Sequence, residues 1–140
     1  MNLSLMNTPD LDALFVAATA ARSNAYAPYS GYAVGAALLA EEGGIHVGCN
    51  AENAAYPVGT CAEAGAISSM AAAGGRRIAA ILILAEGADL VTPCGACRQR
   101  IREFATETTP IHLADPSGIR RTLMLGELLP HAFGPDNLAR

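Results

Sequence analysis

A chain of 140 residues with 51% apolar and 16% charged side chains is long enough to bury a core and too apolar to stay disordered. Its formal net charge of −4 argues against a nucleic-acid partner, which would need clustered Lys and Arg. No stretch nears the roughly 20 apolar residues that cross a bilayer, and "MNLSLMNTPD" lacks the basic and apolar regions of a signal peptide.

The expectation is one cytoplasmic domain over residues 1–140, with its four cysteines reduced. Thr8 and Pro9 read as the cap and first position of a helix, with Leu11, Leu14, Phe15, Ala18 and Ala21 along its inner face. A loop, "NAYAPYSGY", follows. Tyr32 to Ala40 then reads as a strand, "EEGG" as a turn and "IHVGCN" as the returning strand, with His46 facing outward. "CAEAGAISSMAAAGG" is an alanine-rich helix stopped by glycine. Ile78 to Ala85 is a continuous apolar run, as in a strand covered on both faces. "PCGACRQRIREFA" opens a further helix, "PIHLAD" and "IRRTLML" read as strands, and "GELLP" as a terminal helical turn. That order predicts an α/β protein, a mixed sheet with helices on its faces.

Two helix starts carry cysteine. Cys94 and Cys97 lie three apart, so both sulfurs can address one centre, and Cys61 opens the earlier helix. The positive end of a helix favours thiolate, the form that binds metal. Three thiolates suit zinc. Structural zinc sites are closed by four protein ligands, whereas catalytic ones keep a position for water. The fourth cysteine, Cys49, lies in a strand and reads as a small buried hydrophobe, and His46, His112 and His131 lack ligand spacing. Glu63, two residues from Cys61, is placed to move protons beside such a centre. The combination C-x-E with P-C-x-x-C is a signature of zinc-dependent nucleobase deaminases.

With these motifs the chain resembles the small, homotetrameric cytidine deaminases. The likeness runs from "YAPYSGYAVGAALL" through "GCNAENAAYPVGTCAEAGAI" and "TPCGACRQRIREF" to "ELLPHAFGP". It implies a three-layer α/β/α fold on a mixed five-stranded sheet and one Zn2+ per chain, held by Cys61, Cys94 and Cys97 with Glu63 as acid and base. It implies a small-molecule pyrimidine nucleoside as substrate, cytidine or 2′-deoxycytidine, in pyrimidine salvage. Asn50 and Glu52 would bind the ribose 3′-hydroxyl, and backbone groups around Ala62 and Thr92 the pyrimidine edge. Tyr32 and Tyr56 match pocket positions. Phe133 matches an aromatic that reaches a neighbouring subunit's site, so the resemblance implies a homotetramer with shared active sites.

Tyr32 stands where the family commonly has phenylalanine, a change that preserves stacking, and two further departures matter more. Ala33 replaces a proline, and Ala64 replaces the arginine that commonly follows the catalytic glutamate and bonds the zinc thiolates. Helix dipoles and backbone N–H groups, or another residue such as Arg98 next to Cys97, would have to offset the thiolate charge in its place. Of the rival readings, a blasticidin S-type deaminase shares the cysteine motifs but lacks the "NAEN" segment seen here. Deaminases acting on nucleic acid need a basic surface, and a non-catalytic zinc module would need neither the open position nor Glu63.

Overall fold

The structure, a computed structural model, describes residues 8–139 and the side chains of residues 10–139. The capping assigned to Thr8 and Pro9 therefore lies outside the described side chains. Helix α1 covers Thr8–Ser23. Strands β1 (Val34–Ala40) and β2 (Ile45–Cys49) form a hairpin whose turn places Gly43 and Gly44 at φ 103° and 89°, a region that glycine enters without steric cost. Helix α2 (Ala62–Ala72), strand β3 (Ile78–Ala85), helix α3 (Gly95–Phe104), strands β4 (Pro110–Asp115) and β5 (Gly118–Met124) and the short helix α4 (Leu125–Leu128) follow.

The sheet order is β2-β1-β3-β4-β5. β3 runs antiparallel to β1 and parallel to β4, and the β1–β2 and β4–β5 pairs are antiparallel. Alternation along the strands divides the core in two. Ala37, Ala80, Leu82, Leu84 and Ala114 meet Leu14 and Ala18 of α1 on one face. Ala36, Leu38, Ile81, Ile83, Ile111 and Leu113 meet α2 and α3 on the other. These are the three layers, and every residue of β3 is buried between them.

Three local readings change. β1 begins at Val34 because the carbonyls just before it are taken by side chains: Asn50 Nδ2 donates to Tyr32 O at 2.8 Å, and Arg22 Nε to Ala33 O at 3.1 Å. His46 is half-buried on the α2 side, the side of Gly48, and Val47 is the exposed residue of β2. A Cβ on Gly48 would collide with Ala62 O and Ala66 N. The absence of a side chain there lets the first turn of α2 lie directly on the sheet. Cys49 is half-buried rather than enclosed.

Candidate functional site

Cys61 and Cys94 occupy equivalent places, each the residue that caps a helix in extended conformation (φ −79°, ψ 157° and φ −65°, ψ 166°). Both helices start at the same edge of the sheet, after β2 and after β3. Cys97 lies one turn into α3 and is fully buried. The three sulfurs lie within 4.8 Å of one another. A tetrahedral zinc with Zn–S bonds of about 2.3 Å asks for sulfurs about 3.8 Å apart, a spacing compatible with a cluster this tight. The chemistry of the donors and their spacing fit zinc. Cys49 is outside the cluster.

The sulfurs differ in their surroundings. Backbone N–H groups of Cys97 and Ala96 hold the Cys94 thiol below its usual pKa, as a helix start should. Burial pushes the Cys61 thiol up, and pushes Cys97 well up, with Glu63 and Cys61 adding negative charge beside it. Such a cluster needs a cation to settle as thiolates.

Glu63, in the first turn of α2, is only 5% exposed. Burial raises its pKa, while its own backbone N–H, Cys97 and the Arg100 guanidinium pull it back down. It shares with Cys61 and Cys94 the wall of a cavity of about 440 Å³. Tyr32, Asn50, Glu52, Tyr56, Ala62 and Thr92 line the same cavity, so six of the seven substrate-binding candidates converge on it. Phe133 does not. It is 59% exposed and lines no part of its own chain's cavity.

Within the cavity the polar candidates hold the loop before β1. Asn50 Oδ1 accepts from Val34 N at 2.9 Å while its Nδ2 serves Tyr32 O. Glu52 accepts from the backbone N–H of Tyr29 and Ser30 and from Ser30 Oγ, which hold its carboxyl below the usual pKa. Tyr32 Oη donates to Glu86 O at 3.0 Å. Beside them a smaller cavity of about 260 Å³ lies between Tyr29 and Tyr56, whose rings sit 5.7 Å apart.

Arg98 does not approach the sulfurs. It donates to Pro93 O, Leu128 O and Thr92 Oγ1 at 2.7, 2.7 and 2.9 Å, tying the loop before Cys94 to α4. Gln99 donates to Phe133 O at 2.8 Å and Arg102 faces Asp136 at 3.9 Å, so consecutive turns of α3 hold the C-terminal segment. Arg100 instead reaches Cys97 Sγ, at 3.5 Å. Helical spacing carries that signal, three residues being nearly one turn, whereas adjacency in sequence pointed to Arg98. The wall also contains Ser30, Val34, Ile83 and Val91, which no motif singles out.

The model of the cytidine and deoxycytidylate deaminase zinc-binding region matches residues 9–113. A cytidine deaminase of Sporosarcina psychrophila is 42% identical over 130 residues, 93% of this chain and 96% of that protein. The crystal structure of cytidine deaminase from Burkholderia pseudomallei superposes with a TM-score of 0.83 at 45% identity, covering 91% of this chain and all of that one. That of cytidine deaminase from Mycobacterium tuberculosis gives 0.76 at 38% identity, covering 89% and 98%. The cysteine cluster, the buried glutamate and these likenesses agree, and the chain belongs to the cytidine and deoxycytidylate deaminase family.

Proposed function

We propose that the protein is a zinc-dependent deaminase that converts cytidine and 2′-deoxycytidine, with water, to uridine and 2′-deoxyuridine and ammonia. The observation that carries this reading is the meeting of three sulfurs within 4.8 Å at a cavity whose wall holds two of them, Cys61 and Cys94, together with the buried Glu63. Cys61, Cys94 and Cys97 would hold the zinc, which would supply a Lewis acid able to acidify water at the site. Glu63 moves the protons: it accepts one from the attacking water and delivers it to N3 of the pyrimidine, then takes a second from the hydroxyl added at C4 and passes it to the amine as the C4–N bond breaks and the C4 carbonyl forms. Its raised pKa suits a group that must both take and give. Backbone groups at Ala62 and Thr92 orient the base, Asn50 and Glu52 address the ribose, and Tyr32 and Tyr56 flank the pocket.

The same reading takes residues 1–140 as one domain, acting in the cytoplasm in pyrimidine salvage as a homotetramer. Its support is the exposed apolar set Tyr26, Tyr56, Val58 and Phe133, which an assembly would cover, and the absence of Phe133 from its own chain's cavity. No helix among the described residues is long and apolar enough to cross a membrane.

The test is a spectrophotometric assay of cytidine conversion by the wild type and Glu63→Gln, with zinc content measured on both. The expected result is turnover by the wild type and a loss of several orders of magnitude in the variant, with one zinc per chain in each. A variant that loses its zinc gives Glu63 a structural role, and a zinc-loaded wild type without turnover overturns the reading.

A further inference from the structure

Loading this site changes its charge. Three thiols surrender three protons to a divalent cation, so the filled cluster carries one net negative charge, with the Glu63 carboxyl buried close by. Backbone N–H groups at the start of α3 favour thiolate at Cys94, and a side-chain cation within reach of the sulfurs would add full positive charge. Among the described residues Arg100 is the one side-chain cation hydrogen-bonded to a cysteine sulfur, its Nη1 lying 3.5 Å from Cys97 Sγ. Among the described residues it enters no ion pair. Arg98 and Arg102 are bound elsewhere, to Thr92 and two carbonyls and to Ala105 O and Asp136. Ala64 offers no charge.

We propose that Arg100 is a positioning residue for the metal: its guanidinium donates to Cys97 Sγ and neutralises the filled three-thiolate cluster. This rests on the zinc-deaminase reading. Two features support it. Cys97 and Arg100 stand one turn apart on the same helix, so the contact needs no loop to hold it. Cys97 is the fully buried sulfur, the one for which solvent offers least screening. Arg100 is itself exposed, so the neutralising charge lies on the outer side of the cluster and leaves the substrate cavity to Glu63.

The test measures zinc affinity of the whole protein by competition with a colorimetric chelator, without substrate, in the wild type, Arg100→Met, Arg100→Gln and Arg100→Lys. Partners of metal ligands commonly contribute about 10–100-fold in affinity. Arg100→Met should lose affinity in that range, because filling the site then leaves an uncompensated charge. Arg100→Gln, which keeps a neutral donor, should fall with it, and Arg100→Lys should recover most of the loss. Far-UV circular dichroism of the metal-free proteins should be the same for all four, since Arg100 is exposed. Wild-type affinity in Arg100→Met or Arg100→Gln, or a loss in Arg100→Lys equal to that in Arg100→Met, overturns the proposal. Because no substrate enters, a wild type that binds zinc without deaminating cytidine refutes the deaminase reading and leaves this comparison intact.

Discussion

Acid should unfold this protein partly through one histidine. His112, on β4, is 2% exposed; its Nδ1 lies 2.7 Å from Thr122 Oγ1, and its Nε2 has no partner among the described residues. Burial holds its pKa at about 4, against 6.5 for the free side chain. Between these values the unfolded chain takes up a proton that the folded chain refuses. Stability is therefore unaffected above pH 6.5 and drains as pH falls toward 4. The two values put the loss at about 2 kcal/mol by about pH 5, a large share of the roughly 5–15 kcal/mol that holds a domain folded. Urea unfolding at a series of pH values, for the wild type and His112→Phe with equal zinc, measures it. The variant loses the Thr122 bond at every pH, so the difference in slope is the readout, and metal release affects both proteins alike. Parallel stability curves between pH 6.5 and 4 would refute the reasoning.

Two further substitutions probe the placement of the site. Gly48→Ala should push the first turn of α2 off β2, at about 1–3 kcal/mol for overpacking; a shift of about 1 Å in Glu63 would cost up to about 100-fold in turnover. Unfolding and initial rates on one preparation read both, and unchanged rates would mean that α2 adapts without moving its catalytic end. Phe133→Ala should raise the Michaelis constant with little change in turnover number, by a stacking contribution of about 1–3 kcal/mol, and an unchanged constant would remove Phe133 from any subunit's pocket.

Much of this architecture was legible because periodicity is local. The eight apolar residues of β3 announced a strand covered on both faces, and the alanine run ending at Gly74 announced α2. The cysteines converge because each of two helices begins with one, a pattern visible as spacing. What was not legible depends on which groups already have partners. Tyr32 and Ala33 have strand-like neighbours, yet their carbonyls serve Asn50 and Arg22 instead of the sheet. Standing between two apolar residues, His46 has the pattern of an outward position, but Gly48 brings α2 down on its side of β2. Arg98 and Arg100 are both close to Cys97 in sequence; helix phase separates them, one toward α4 and one toward the sulfur. Ser30 and Val91 reach the cavity through loops whose course no periodicity encodes.

The fastening of the C-terminal segment along α3 has a practical consequence. Arg98, Gln99 and Arg102 hold Leu128, Phe133 and Asp136, and Arg98 also holds Thr92 and Pro93, the residues leading into Cys94. A deletion or bulky fusion at that end would pull on the metal-binding loop through Arg98, even if the removed residues never met substrate. Loss of activity in a shortened chain would then report slack in the loop. Purification handles belong at the other terminus, and the role of the tail is better read from single side chains, whose removal leaves the backbone carbonyls that α3 grips in place.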